Sequence, residues 1–460
     1  MLSLLDIAER TQKGPKMEVK AWDLGIFRKM QELGRRHDIR HPGGRLWFNE
    51  DDALPERAFR AAVDFLTEMG VYCLTTGRVI QFSRDEVMDA VRCGRPEVVV
   101  GEGRDQRVMR QKQVEGKIPP NQTPGHHAPF SEDLAPLVVK NFAQIPSADY
   151  LEGFNFTRVD GREVYGMPIE AYAGRREAAW LREGVRKAGR PGMAIAYYPI
   201  STRSSVLIAP MDPDYGLRRT DGILLSVLPE VKVEQDLLTA AIVYKDYGCF
   251  SVNGGGGASI GGFCGNAEGA IIESIVKALA GWICYRDDTS YAGVTHIGHT
   301  LDHTYNIDPI QLWAASVVFQ ALNRYTNTIA FGTNVPGGDS GPGTETRLLA
   351  LAMGCIAAPI NGANLNTSRH QRAKMNTGLT PLEPEWRYEV CLASVRSGLD
   401  RQSAPAVLEA LADKLHGREV EPAQSITECY DLVHHRPLPD YEQIYLRVKA
   451  DLTAMGVDFG

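Results

Sequence analysis

Five short segments of this 460-residue chain gather the residue types that do chemistry. His296-Ile297-Gly298-His299-Thr300-Leu301-Asp302-His303 holds three histidines and an aspartate within eight residues, ligand types that suit a divalent metal. The spacing is not His-Glu-x-x-His, and strand alternation sends His296 and His299 to opposite faces. Two readings follow: zinc held by His296, His299 and His303, or histidines that hydrogen-bond a ligand. Asn253 to Asn266 carries six glycines in the nine residues 254–262. Backbone without Cβ atoms approaches a ligand closely and presents N–H groups to anions. No Gly-Lys-Ser/Thr follows, so the segment is not a nucleotide P-loop. Glu268, just beyond it, sits at a helix start, where the helix dipole favours an acid in any case. Gly332 to Glu345 repeats this arrangement, with Asn334 in the turn and Glu345 at the helix start. Asn361-Gly362-Ala363-Asn364 offers amides that orient a ligand without charge, and Tyr197-Tyr198-Pro199-Ile200-Ser201-Thr202 ends an apolar run with phenols and hydroxyls.

The elements needed to position these segments alternate along the chain. Helical spacing over 168–187 leads through Gly189, suited to a left-handed helix end, and Pro191, a helix stop, into an apolar strand over 193–198. Strands are predicted at 222–225, 249–252, 294–297 and 328–332, each followed by a helix, at 231–244, 266–285, 308–323 and 344–353. Five or more βα units in this span predict an α/β fold, a (β/α)8 TIM barrel whose strand-to-helix loops carry the site. An N-terminal α+β extension is expected over 1–145, with helices at 22–33 and 55–69, strands at 70–73, 78–82 and 97–100, and Ser83 capping a further helix. The barrel core is assigned to 146–380, and C-terminal helices packed on it, at 384–415 and 440–455, to 381–460. The Pro-, Gln- and His-rich stretch 111–131 reads as a long loop.

Fifty basic against fifty-seven acidic residues leave a net charge of −7, which argues against nucleic-acid binding. No apolar run is long enough to span a bilayer. The eight cysteines are scattered without a C-x-x-C pair, so the expectation is a reduced, cytoplasmic protein.

An ordered series of motifs runs nearly end to end: Gly70-Val71-Tyr72-Cys73 with Arg78-Val79 and Asp85-Glu86, Gly101-Glu102-Gly103-Arg104-Asp105, Ser131-Glu132-Asp133, and Ala188-Gly189-Arg190-Pro191-Gly192-Met193. Gly261-Gly262-Phe263 with Gly265 and Glu268, Gly341-Pro342 with Thr344-Glu345, and Glu428-Cys429-Tyr430-Asp431 complete it. In these the chain resembles the monomethylamine:corrinoid methyltransferases, (β/α)8 enzymes that contain pyrrolysine. The resemblance implies methyl transfer to Co(I) of a corrinoid (cobalamin) carried by a partner protein, and a homo-oligomer. The pyrrolysine position of the family falls on Ala196 or Tyr197, and its surrounding glutamates and glutamine on Gly255, Leu224 and Val335. The pocket therefore implies a different donor, a methylated amine or a quaternary ammonium compound that needs no pyrrolysine to activate it. Tyr197, Tyr198, Glu268 and Glu345 form the expected catalytic set. Phe250, Phe263, Tyr305 and Phe331 are expected to cage a cation, Arg203, Asn253, His296 and His299 to hold a polar tail, and Ala196, Gly255, Asn334 and Asn361 to complete the lining. The alternatives are metal-assisted transfer from a thiol, alcohol or ether, and a non-catalytic relative that binds a methylamine-like ligand or a corrinoid protein.

Overall fold

Among the described residues, eight short parallel strands alternate with eight helices. The strands are β1 Gln122–Thr123, β2 Tyr150–Glu152, β3 Ala194–Tyr197, β4 Gly222–Leu225, β5 Phe250–Asn253, β6 Thr289–Tyr291, β7 Ile329–Phe331 and β8 Leu365–Asn366. The intervening helices are α1 Ala135–Gln144, α2 Ile169–Lys187, α3 Ser204–Ile208, α4 Gln235–Tyr247, α5 Ala267–Tyr285, α6 Ile310–Tyr325, α7 Glu345–Asn361 and α8 Leu382–Arg396. This computed structural model describes residues 2–460 apart from 155, 167, 199–200, 202, 256, 333–334, 336–338, 368–369 and 371, and apart from the side chains at 205, 299 and 300.

Strands β2 to β7 form one continuous parallel sheet. β1 pairs with β8, Gln122 opposite Leu365, and single bridges from Gln122 to Ala148 and from Phe331 to Asn364 join this pair to both edges. The ladder is thinnest at these two joints. At the joint of β7 and β8 the Asn364 side chain supplements the backbone pairing, donating to the Ala330 carbonyl at 3.3 Å, and it also accepts from the Asn121 N–H at 2.8 Å beside β1. The result is a TIM-type barrel.

Three sequence expectations are corrected. The first ring strand, β1, lies inside the stretch 111–131 that reads as loop, and N-terminal to residue 146; two residues are too few to show a period. The sixth ring strand is Thr289–Tyr291 rather than 294–297. Gly293, at φ 112°, turns the chain out of the ring, and Val294–His296 pairs instead with Ala258–Ile260 to make a flap over the loops after β5 and β6. The long helix over 384–415 is two helices, α8 and Ala404–Leu415, broken at Gly398, which is left-handed with φ 67°.

The N-terminal mouth of the barrel is plugged. The hairpin Glu97–Val100/Arg107–Arg110 inserts Val98, Val100 and Met109 into the interior apolar cluster with Tyr150, Leu224, Phe250, Val252 and Ile329. Two of the most recognisable motifs hold this plug. Asp105 accepts from the Gly192 N–H at 3.0 Å, Glu102 N–H donates to the Gly192 carbonyl at 2.9 Å, and Arg104 reaches the Gly189 carbonyl at 2.7 Å. Gly189 adopts the predicted left-handed helix end, with φ 77°. Asp221, fully buried and paired with Arg182, accepts from the Ile195 N–H and so fixes β3. The N-terminal helices Val19–Arg36 and Leu54–Glu68 pack on α5, and Ala404–Leu415 and Pro439–Ala454 pack on α7. Among the described residues no helix is long and apolar enough to cross a membrane, and all eight cysteines are free thiols.

Candidate functional site

Alternation along the ring strands decides which side chains enter the barrel. On β2, Tyr150 and Glu152 point inward and Leu151 outward; on β3, Ala194 and Ala196 point inward and Ile195 and Tyr197 outward. Glu152, at the carboxyl end of β2, is completely buried. Its carboxylate accepts from the Thr123 hydroxyl at the end of β1 and lies 2.9 Å from Nε2 of His127, four residues past that strand. The His127 ring stacks on Tyr198, just past β3, with centroids 4.8 Å apart and planes 20° apart. From β6, four places round the ring, Tyr291 faces Glu152 with its hydroxyl buried and, among the described residues, without a hydrogen-bond partner; burial, then this carboxylate, pushes its ionisation well above the usual phenol range. Phe331, beside Tyr291 on β7, closes that wall. Below, Tyr150 packs on Phe250 at 5.2 Å.

Two glycines make the cluster possible. A Cβ at Gly125 would stand 2.7 Å from the Cβ of Glu152, and one at Gly153 would stand 2.3 Å from the Tyr198 backbone nitrogen. Gly125 lies two residues past β1 and Gly153 directly follows β2, so the ends of β1, β2 and β3 converge. The arrangement is a buried carboxylate beside a histidine, with Tyr198, Tyr291 and Phe331 in the same interior, at the strand ends where barrels place chemistry. It suits a cation.

The sequence candidates divide. Tyr198, Ala196 and Phe331 belong to this interior. Phe250 also faces inward, but under Tyr150, where it lines the cleft at the N-terminal face. Tyr197 is turned away from the barrel: it is in contact with α2, its hydroxyl against Gly174 and beside the buried Glu177. Period-two alternation requires this once Ala196 faces in. Glu345 opens α7 but pairs with Arg418 at 2.8 Å and Arg447 at 3.8 Å, tying down the C-terminal segment. Glu268 accepts from the His41 N–H at 3.1 Å and so joins α5 to the N-terminal extension. Asn253 points outward, donating to the Lys277 carbonyl at 2.9 Å and accepting from Gly255 N–H at 3.2 Å. Gly255 is pressed against the Val227 carbonyl, which a Cβ would approach to 1.9 Å. Phe263 and Arg203 are exposed. Tyr305 is core, accepting from the Ser340 N–H, and Asn361 ends α7 at the opposite face of the barrel.

His296 is half-buried at the end of the flap and His303 is exposed. The His299 side chain and Asn334 lie outside the described residues. Among the described residues, no three His, Cys, Asp or Glu side chains are grouped to hold a metal.

Sequence reading missed Glu152, His127, Thr123 and Tyr291. The adjacent His126 goes the other way, into Phe130, Phe142 and Phe154. Burial lowers its pKa to about 4, and the neutral ring bridges the Ala128 carbonyl and the Leu379 N–H. The available signal was Gly125-His126-His127 and the Glu152-Gly153 step, each a strand end followed by glycine or histidine.

Comparison with known proteins agrees with this fold over the whole chain. A family model described as monomethylamine methyltransferase MtmB matches residues 2–457. The chain is 26% identical over 461 residues to monomethylamine methyltransferase MtmB2 of Methanosarcina acetivorans, covering 99% of this chain and 98% of that one. It is 25% identical over 470 residues to MtmB3 of Methanosarcina barkeri, with the same coverage of each. The crystal structure of Methanosarcina barkeri monomethylamine methyltransferase superposes with a TM-score of 0.89 at 24% identity, covering 99% of this chain and 98% of that chain.

Proposed function

This chain belongs to the monomethylamine methyltransferase MtmB family, and on that premise we propose that it moves a methyl group from a quaternary ammonium compound or methylated amine to Co(I) of a corrinoid carried by a partner protein, without pyrrolysine. The observation that carries the reading is Glu152, buried in the barrel interior with Tyr198, Tyr291 and Phe331. Each aromatic face stabilises a cation by roughly 0.5–2 kcal/mol, and the carboxylate supplies the opposite charge where water is excluded. With Ala196 on the inner face of β3, that position carries no side chain of pyrrolysine length.

The corrinoid supplies a two-electron cobalt nucleophile and arrives as the acceptor substrate. The chain's own residues bind and orient the donor. The N–CH3 bond breaks with its electron pair staying on nitrogen, so an ammonium leaves as a neutral amine and no proton need move. Glu152 meets positive charge that is present before transfer and lost during it. It therefore contributes to donor affinity more than to the chemical step, and His127 with the Thr123 and Tyr291 hydroxyls moderates that attraction. Docking of the corrinoid protein at the carboxyl face, and homo-oligomeric assembly in the cytoplasm, belong to the same reading.

The test is anaerobic: protein with chemically reduced cob(I)alamin and then a corrinoid protein, offered mono-, di- and trimethylamine, betaines and choline, with methylcobalamin absorbance followed. Turnover with a quaternary donor in metal-free protein supports the proposal. Turnover only with zinc overturns the unassisted mechanism, and turnover with monomethylamine alone rules out the quaternary donor and leaves a methylated amine.

A further inference from the structure

Beneath the glycine-rich segment after β5 lies a buried polar face of α5 that nothing above uses. Glu273, Ser274 and Lys277 are all nearly or wholly inaccessible. A lysine in such a place must have an acceptor. The Lys277 ammonium donates to the Gly257 carbonyl at 3.0 Å, in the middle of the segment. One turn earlier on the same helix, Ser274 accepts from the Gly293 N–H at 3.2 Å, at the point where the second flap strand departs. Cys264 Sγ closes the far end on the Ser259 carbonyl at 3.0 Å. Asn253 links the near end to Lys277 through its backbone carbonyl. The flap strands Ala258–Ile260 and Val294–His296 are thus fastened from below by one helix face.

We propose that Lys277 is a positioning residue for methyl transfer, fastening the glycine-rich flap at Gly257, and that Glu273 competes with Gly257 for its ammonium. This rests on the reading that the carboxyl face is the site of reaction. Glu273 Oε2 has no hydrogen-bond partner, although Lys277 lies one turn away on the same buried face. The groups facing Glu273 are Lys277, the Cys264 thiol and Glu230. Burial pushes the Glu273 carboxyl up to about 7, against the pull of Lys277 and Cys264. Burial lowers the Lys277 pKa, opposed by Glu273. Protonated Glu273 leaves the ammonium to Gly257; ionised Glu273 draws it away. The flap is therefore tighter below pH 7 and looser above it.

The experiment is hydrogen exchange of wild type, Lys277→Met and Glu273→Gln at pH 6 and pH 8, with kinetics of methyl transfer alongside. In wild type, amides of 257–262 exchange several-fold faster at pH 8 than at pH 6 after correction for intrinsic rates. In Glu273→Gln this pH difference disappears and protection stays high. In Lys277→Met the same amides exchange at least tenfold faster at both pH values while β5 and α5 stay protected, and KM for the donor rises more than kcat falls. Should Lys277→Met fail to fold, the Glu273→Gln comparison decides by itself. Unchanged flap exchange in Lys277→Met, or a pH difference that persists in Glu273→Gln, overturns the fastening. Loosened exchange with unaltered kinetics overturns the positioning role. Absence of methyl transfer by wild type overturns the proposed reaction instead, and the exchange data still judge the fastening.

Discussion

The two ends of the barrel interior are lined by the same strands and do opposite work. Tyr150 and Glu152 are two residues apart on β2 and both are buried. Around Tyr150 the hairpin residues Val98, Val100 and Met109 and the ring of Phe250 fill the space with apolar surface. Around Glu152 the neighbours are Thr123, His127 and Tyr291. Burial is equal; what differs is what lies past the last residue. Below, a hairpin is pushed into the mouth. Above, glycines at 125 and 153 let strand ends approach and loops supply polar groups. Burial of a carboxylate costs several kcal/mol; at the plugged end Asp221 is paired with Arg182, whereas at the other end Glu152 faces His127.

Substitutions should separate the two ends. Phe250→Ala is expected to have the largest effect, a loss of about 3–5 kcal/mol in denaturant unfolding from the cavity left under Tyr150, with donor KM unchanged at temperatures where the variant is folded. A matching rise in KM would erase the distinction between plug and site. Glu152→Gln is expected to lower kcat/KM roughly 100-fold, about 2.7 kcal/mol, mostly through KM, with the melting temperature little altered. A pure kcat effect would show that the carboxylate acts on the chemical step. Tyr198→Leu should raise donor KM roughly tenfold, within the reach of one aromatic face. Its neighbour Tyr197→Phe should leave KM alone and cost only about 1 kcal/mol of stability, because that hydroxyl sits on α2.

A pH-dependent effect concerns Glu177, buried beside Tyr197 on the outer face. Burial raises its carboxyl well above the usual range, against the pull of the Tyr197 hydroxyl. A raised folded-state pKa means that the wild type loses stability as pH climbs from the ordinary glutamate value toward the raised one. Glu177→Gln should flatten that decline in melting curves between pH 5 and pH 8. Identical slopes in the two proteins would place an uncounted cation near Glu177.

Most of the scaffold was legible because α2, α5, α6 and α7 are long enough to show their period and are bounded by Gly189, Asn266, Pro309 and Thr344. The family motifs were legible too, yet Gly101 to Asp105 and Gly189 to Met193 meet each other at the plugged end. They report stability, which is why they did not lead to the site. The histidine run at 296–303 drew attention by composition and lies on the flap and in the segment that follows it. The histidine that reaches the interior is His127, in a stretch that reads as loop.

By itself, the sequence determined the alternation of strands and helices, the helix ends and the family, since each depends on local period, caps and ordered motifs. Which of two adjacent residues enters the barrel was decided only by the tertiary structure. His126 and His127 part company, as do Tyr197 and Tyr198, because a strand of two to four residues fixes its facing through its partners' register. The same holds for Glu152 and Tyr291: they lie on strands four places apart in the ring, and only closure of the barrel brings them into contact.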